Sequence, residues 1–144
     1  MKDSINQELA IGDFVSFLAP SKRELNIGLI TGFAPKSARI WKVNFQDASN
    51  RWNHDEELTR MPDITVKIVT PIDLLMSNAN STFCVGVRGK ASGWSIDQTI
   101  QNSRNWLDPI RGRNSYLGDP QLIEEKVMEG VIIGWNWYEH RLKS

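Results

Sequence analysis

The fold of the first half of the chain is decided by the stretch Ile11-Gly12-Asp13-Phe14-Val15-Ser16-Phe17-Leu18-Ala19. This stretch is rich in β-branched and aromatic residues and runs into the polar segment Pro20–Arg23, which predicts a strand followed by a turn. Two further runs of strand-forming residues follow, at Ile27–Phe33 and Ala38–Phe45. Three neighbouring strands with short connections predict an antiparallel meander.

The third run leaves the position of one aromatic side chain open. Ala38 and Ile40 cannot share a face with Val43 and Phe45 at a period of two, because the parity changes between Ile40 and Val43. Trp41 therefore either joins Val43 and Phe45 on the inner face or lies outside beside a bulge.

A fourth strand is predicted at Ile64–Val69, where isoleucine or valine occupies every second position. The polar stretch Gln46–Arg60 before it predicts a loop. Thr70–Met76 after it predicts a short helical turn, with Thr70 as cap and Pro71 as the first helical residue. A meander, a long loop and a returning strand suit a small barrel, because closure removes the exposed edges of a short sheet.

Three of these segments resemble the opening strands of SH3-like barrels of the KOW and Tudor type, namely Ile11–Val15, Gly28–Phe33 and Arg39–Phe45. In those families a Gly-Asp pair starts the first strand, and a Gly-x-Ile-x-Gly strand precedes one that ends in Val-x-Phe. The resemblance covers about residues 9–70. It implies a barrel that binds RNA, DNA, a ribosomal or polymerase surface, or a modified peptide.

The resemblance extends to small phage proteins. Phage-encoded modifiers of host transcription, including the MotB type of T-even phages, are similar in size and begin with such a module. This similarity implies a phage protein that acts in the host cytoplasm. If the barrel bound a modified peptide in an aromatic cage, the candidate cage residues would be Phe33, Trp41 and Trp52.

The second half begins after the small polar segment Ser77–Ser81, which predicts a linker. The chain is therefore expected to be mainly β with a smaller α+β part: an SH3-like barrel over residues 1–76, then a small α+β lobe over residues 77–144. Thr82–Arg88 predicts the first strand of the lobe. The Ser-x-x-Gln spacing from Ser95 to Gln98 is that of a capping box and predicts a helix over Ile96–Trp106.

The rest of the lobe is predicted to be a helix followed by a strand. Asp119 and Pro120 supply a cap and a first helical residue, and Gly130 is suited to ending this helix. The largely apolar run Val131–Tyr138 then predicts a strand. The expected order of the lobe is strand, helix, helix, strand.

Charge is balanced over the whole chain, with 17 basic and 17 acidic residues, but it is uneven along the lobe. Residues 84–118 contain five basic and two acidic residues, and large aromatic and amide side chains stand among them. Arginine can hold phosphate and aromatic faces can stack bases, while the same residue types dominate protein interfaces. The candidate nucleic-acid or partner-binding residues here are Arg88, Lys90, Trp94, Arg104, Trp106, Arg111, Arg113 and Tyr116.

A second basic group is predicted at the turns of the barrel. Turns at one end of a barrel can converge, and loop cations there would contact phosphates without reading sequence. The alternative is that they are solubilising turn residues. The residues concerned are Lys22, Arg23, Lys36 and Arg39.

The sequence carries no catalytic signature, and no enzyme activity, cofactor or metal is predicted. His54-Asp55-Glu56-Glu57 are adjacent residues that do not specify a metal or acid–base site. Gly89–Gly93 lacks the Lys-Ser adjacency of a phosphate-binding loop. Cys84 lies in an apolar run, where a thiol is usually an inert core group.

Compartment and function follow as expectations. A single cysteine, no apolar run long enough to span a bilayer and no signal-peptide pattern predict a cytoplasmic protein. The expected function is that of a non-enzymatic binding protein that contacts nucleic acid, DNA or RNA, or a nucleic-acid machine. The alternative is a protein-interaction module, or a small inhibitor that docks on a host enzyme through exposed tryptophan and arginine.

Overall fold

A computed structural model describes residues 1–18, 25–43, 45, 55–78, 81–103 and 120–143 of the chain. The chain divides into two compact units. Unit 1 consists of Met1–Val43 and Glu56–Pro71, and unit 2 consists of Asn44–Asp55 and Ile72–Ser144. Unit 1 holds the sheet and unit 2 holds the helices, so the protein is of mixed α and β class.

Unit 1 is a five-stranded antiparallel sheet. Its strands are β1 (Phe14–Leu18), β2 (Leu25–Ala34), β3 (Ser37–Lys42), β4 (Glu56–Arg60) and β5 (Thr65–Ile68). They pair in the order β4-β3-β2-β1-β5, and no pairing among the described residues joins β4 to β5 to close the sheet. The predicted meander and the returning strand are confirmed.

The strand β4 was not predicted from the sequence, where it was assigned to a polar loop. Glu56, Leu58 and Arg60 are half-buried, while Glu57 and Thr59 are exposed, so the strand alternates with a period of two. The alternation is hidden because charged side chains occupy both faces. A 3-10 turn, Pro62–Ile64, connects β4 to β5.

The sheet buries apolar side chains on both of its faces. One face carries a core cluster that lies around Ile30 and Ile40, and its members are Leu9, Val15, Phe17, Ile30, Ala38 and Ile40. On the other face, Leu29 of β2 pairs with Phe14 on one side and with Trp41 on the other. All three of these side chains are buried.

Trp41 takes the first of its two predicted alternatives, because it is buried and alternates with Ile40 to share a face with Val43. The register shift expected near it lies instead in β2, between Ile30 and Gly32. A Cβ at Gly28 would overlap the Ile40 side chain and lie 2.8 Å from the Trp41 carbonyl oxygen, so the sheet requires glycine at this close approach.

The first residues of the chain cover the outer edge of β5. The Ser4 amide donates to the Thr65 carbonyl (2.8 Å), and the Lys67 amide donates to the Asp3 carboxylate (2.7 Å). The same carboxylate accepts from the amides of Ile5 and Gln7 and from the Gln7 side chain. Burial acts to raise the pKa of Asp3, but these hydrogen bonds outweigh it and hold the pKa below its ordinary value.

Unit 2 is helical wherever it forms regular structure in the described ranges. Its helices are α1 (Ile72–Ser77), α2 (Thr82–Ala91), α3 (residues 96–103) and α4 (Pro120–Lys143). The predicted helical turn after β5 is present, but it begins at Ile72 and not at Pro71. The predicted starts of α3 and of α4 at Pro120 are confirmed.

Two predicted strands of unit 2 are wrong. Thr82–Arg88 lies in α2, and Val131–Tyr138 lies in α4, which continues past Gly130 to Lys143. A short apolar run fits a buried helix as well as a buried strand. Here the two helices cross in direct backbone contact, because a Cβ at Gly86 would overlap the Val131 carbonyl oxygen.

Candidate nucleic-acid interface

The structure places five of the twelve predicted site residues. Arg88, Lys90 and Trp94 lie at the end of α2 and just after it, in unit 2, and Lys36 and Arg39 lie in the β2–β3 hairpin of unit 1. The other seven fall outside the described residues: Lys22, Arg23, Arg104, Trp106, Arg111, Arg113 and Tyr116.

The helix that presents the first three residues begins at a polar cap. Ser81 is the N-cap, and its hydroxyl accepts a hydrogen bond from the Cys84 amide (3.3 Å). The Asp55 carboxylate accepts from the Ser81 hydroxyl (2.8 Å), the Thr82 hydroxyl (3.0 Å) and the Phe83 amide (3.0 Å). A carboxylate also complements the positive end of the helix dipole, so Asp55 fixes where α2 starts.

The end of α2 is a turn that positions Trp94. Gly93 has a φ of +81°, a conformation that favours glycine, and its amide donates to the Lys90 carbonyl (3.0 Å). The Trp94 amide then donates to the Gly89 carbonyl (3.0 Å). The Trp94 residue remains 40% exposed, which is unusual for so large an apolar side chain.

The capping box predicted for α3 is confirmed in both directions. The Ser95 amide donates to the Gln98 side-chain oxygen (2.9 Å), and the Gln98 amide donates to the Ser95 hydroxyl (3.1 Å). Thr99 is buried against α2, since a Cβ at Gly89 would overlap its side chain. This contact fixes α3 closely against the end of α2.

Trp135 of α4 connects two of the predicted residues. Its indole N–H donates to the Trp94 carbonyl oxygen (3.0 Å), and the Lys90 Nζ lies 4.7 Å from the centroid of its ring. From the sequence, Trp135 was expected in the predicted strand Val131–Tyr138. The structure instead makes it a half-buried support for Lys90 and Trp94.

Arg88 faces the same region from α2. Its guanidinium donates to the Asn78 carbonyl, and it lines a groove of about 360 Å³ together with Trp94 and Asn102. Arg88, Lys90 and Trp94 are therefore brought to one place. We call this surface the Trp94 corner; it comprises Arg88, Lys90, Trp94, Trp135, Gln98, Gln101 and Asn102.

A second and more open groove of about 570 Å³ borders Trp94, and α3 supplies its other lining residues, Asp97, Gln98, Gln101 and Asn102. Gln98 and Gln101 were not among the predicted site residues. The signal for them is their helical spacing, because Gln98, Gln101 and Asn102 stand at i, i+3 and i+4 and so share one face of α3.

The hairpin cations of unit 1 form a separate group. Lys36 lies in the β2–β3 turn and Arg39 on β3, and both are exposed. The Arg39 guanidinium lies over Gly32, where a Cβ would come within 2.9 Å of its Nε. The other half of this predicted basic site, Lys22 and Arg23, lies outside the described residues.

The thiol of Cys84 is in an environment that makes it unreactive. It is buried in α2, and burial raises the pKa of its thiol to about 12. Within the described ranges, no three His, Cys, Asp or Glu side chains are grouped so as to hold a metal ion. In the same part of the chain, no helix combines the length and hydropathy that crossing a membrane requires.

Part of the chain matches a known protein family. Residues 1–68 match a family described as a domain of unknown function, DUF7205. The matched range ends at Ile68, the last residue of β5, and so takes in all five strands of the sheet. No curated protein and no solved structure matches the chain.

Proposed function

We propose that this chain is a non-enzymatic binding protein that contacts nucleic acid, or a machine that handles nucleic acid, through the Trp94 corner. The observation that supports this proposal is the grouping of an exposed tryptophan with two cations, Arg88 and Lys90, around the support that Trp135 provides. Cationic side chains neutralise phosphates, and an exposed ring offers a stacking surface for a base.

The proposal assigns the corner no catalytic step. Its side chains are cations, amides and indole rings, with no nucleophile held beside a general base. Cys84, the one thiol of the chain, is buried and protonated at neutral pH. Binding is therefore the chemistry that these residues support.

We further propose that unit 1 is an SH3-like barrel of the KOW or Tudor type. Two structural features support this assignment, together with the sequence resemblance. They are the strand order β5-β1-β2-β3-β4 and the 3-10 turn that connects β4 to β5. An origin in a phage, a role in modifying host transcription and a cytoplasmic location follow from the same resemblance as parts of the proposal.

The test measures fluorescence anisotropy of labelled single-stranded DNA, duplex DNA and RNA at low salt. Lys90→Ala should weaken binding about three- to fivefold, the effect of losing one charge contact at a half-buried surface position. The matched control is Lys143→Ala, because Lys143 is an exposed lysine of the same unit, paired with Glu139 at the far end of α4. Absence of binding to all three probes at 50 mM salt would end the proposal.

A protein partner is the second candidate, and a different observation favours it. Leu18 pairs with Leu25 at the end of the β1–β2 hairpin, and Ile64 immediately precedes Thr65, the partner of Phe17. All three apolar side chains are more than half exposed. Neighbouring exposed apolar side chains mark interaction surfaces in soluble proteins.

The two candidates separate in an affinity purification performed with and without nuclease. A nucleic-acid role predicts that captured material disappears after nuclease treatment. A protein role predicts one polypeptide that survives the nuclease and is lost when Leu18 and Ile64 are both replaced by serine.

A further inference from the structure

We propose that the Trp94 corner takes a single-stranded segment, with one unstacked base on the Trp94 ring and the edge of that base against the amide side chains of α3. This inference rests on the proposed function and specifies the class of nucleic acid that the site recognises. The juxtaposition that carries it is an exposed tryptophan that lines two grooves of different chemistry.

The ring is held on a rigid support. Both backbone polar groups of Trp94 are hydrogen-bonded. Its amide donates to the Gly89 carbonyl, and its carbonyl accepts from the Trp135 indole N–H. Helices on either side, rather than long loops, supply these partners. A platform fixed in this way loses little conformational entropy when a base stacks on it.

The two grooves differ in chemistry. The smaller one is lined by Arg88, Gly89, Ser92 and Ser103 besides Trp94 and Asn102, and so offers a cation and hydroxyls. The larger one offers the amides of α3 and the Asp97 carboxylate. Both volumes lie in the usual range for small-ligand sites, about 300–1,000 Å³. A nucleotide that stacks on Trp94 can place its phosphate in the smaller groove and its base edge in the larger one.

The amide side chains are available for this contact. The side chains of Gln101 and Asn102 are exposed, and neither side-chain amide makes a hydrogen bond in the described part of the chain. Gln98 uses its oxygen in the capping box, which leaves its NH₂ group to donate. Amides and carboxylates complement the donor and acceptor pattern of base edges, and those edges are fully accessible only in an unpaired strand.

The charge of the corner argues against a duplex. Arg88 also donates to the Asn78 carbonyl, Lys90 lies over Trp135, and Asp97 would repel a nearby phosphate. At most two phosphate contacts follow from these residues, whereas non-specific duplex binding depends on many such contacts. Two contacts on a single strand predict that affinity falls only about sevenfold between 50 and 200 mM salt.

The experiment titrates the full chain into three fluorescein-labelled probes: a 12-nucleotide single strand of mixed sequence, its 12-base-pair duplex, and the RNA of the same sequence. The variants are Trp94→Leu, which removes the aromatic face, and Trp94→Phe, which keeps one. Leu142→Ala is the matched control, because Leu142 is an exposed apolar residue of the same unit. Circular dichroism verifies that each variant is folded.

The expected result is that one or both single strands bind at least tenfold more tightly than the duplex. Trp94→Leu should weaken single-strand binding by between about fivefold and about a hundredfold, while Trp94→Phe retains most of it and Leu142→Ala changes nothing. Gln101→Ala should alter the preference among homopolymer probes without abolishing binding.

Two results would overturn the inference, and only one of them would also overturn the proposed function. Duplex binding equal to or tighter than single-strand binding, sensitive to Lys90→Ala but not to Trp94→Leu, overturns the single-strand inference and leaves the proposed function intact. No binding of any probe at 50 mM salt overturns both.

Discussion

Gly134→Ala should destabilise unit 2, although alanine is the better helix former. Alanine is favoured over glycine in a helix interior by about 1 kcal/mol. At Gly134, however, an added Cβ would overlap the Phe83 carbonyl oxygen and lie 2.9 Å from the carbonyl carbon and 3.2 Å from the Cα of Phe83. These are backbone atoms of α2, so no side-chain rotation relieves the overlap.

The magnitude follows from how far the helices must separate. A separation of at least about 1 Å is needed before the added Cβ reaches even the shortest distance that real Cβ contacts show, and a gap of that size forfeits a quarter to a half of the dispersion energy across the interface. Overpacking of this kind costs about 3 kcal/mol at the upper end of its usual range. After subtracting the gain in helix propensity, the net destabilisation is about 2 kcal/mol, or a melting temperature lower by about 10 °C.

The assay is thermal and urea unfolding followed by circular dichroism at 222 nm, which reports mainly on the helices of unit 2. Gly93→Ala is the matched control, because Gly93 has open space around it and only its positive φ opposes a side chain. Its cost should be about 1 kcal/mol. The double variant Gly86→Ala, Gly134→Ala should lose less than the sum of the two single losses, because one separation accommodates both. Unchanged or increased stability of Gly134→Ala would refute backbone contact between α2 and α4.

Three further predictions concern polar groups that are buried or half-buried. Asp3→Asn should destabilise unit 1 by about 2–3 kcal/mol at neutral pH, because one acceptor oxygen is replaced by a donor facing amides, as measured by urea unfolding followed by intrinsic fluorescence. Since the pKa of Asp3 is lowered on folding, its contribution is complete above the unfolded value of 3.8 and is lost as the pH falls through the folded value, so the variant should lose less stability on acidification. Asp55→Ala should destabilise unit 2 by about 2–3 kcal/mol in the dichroism assay, because three donors at the start of α2 lose their acceptor. Cys84 should resist iodoacetamide at pH 8 until the protein is unfolded, because a thiol of pKa about 12 is ionised in only about one molecule in ten thousand there, as mass spectrometry of the alkylated protein would show.

Each of these predictions can fail in a distinct way. An Asp3→Asn variant with the same acid sensitivity as the parent would show that this carboxylate does not set the pH dependence. An Asp55→Ala variant of full stability would mean that the hydroxyls of Ser81 and Thr82 find other partners without cost. Rapid alkylation of native Cys84 would show that α2 opens readily.

Much of the sheet could be predicted from sequence because its first three strands are rich in β-branched and aromatic residues and end in turn residues. The strand β4 could not, because its only apolar member is Leu58 and charged residues fill the remaining core-facing positions. Such composition is typical of an edge strand, where charge prevents unwanted pairing. Periodicity alone therefore finds central strands more readily than edge strands.

The helices of unit 2 show where local pattern fails. The run from Thr82 to Val87 is apolar without a clear period, so the choice between strand and helix depends on what packs against it. The decisive contacts are those of Gly86 with the backbone of Val131 and of Gly134 with the backbone of Phe83, 45 and 51 positions away, and no window of sequence contains them. The four-residue spacing of Gly130 and Gly134 was the available sign of a close-packed helix face.

The part of the candidate site that is close together in sequence could be predicted, and the part that depends on tertiary contacts could not. Arg88, Lys90 and Trp94 lie within seven positions, so their proximity follows from chain connectivity. The contribution of Trp135 depends on a tertiary hydrogen bond and could not be foreseen. The shared face of Gln98, Gln101 and Asn102 can be recognised only after this segment has been assigned as a helix.

The first seven residues protect the edge of β5 from pairing with another strand. They occupy the backbone groups of Thr65 and Lys67 that a foreign strand would otherwise use. Proteolytic removal of residues 1–7 would expose β5 as an unpaired edge strand. We expect such an edge to self-associate by strand addition between copies of the chain. The anchor of this N-terminal segment is a single buried carboxylate, that of Asp3.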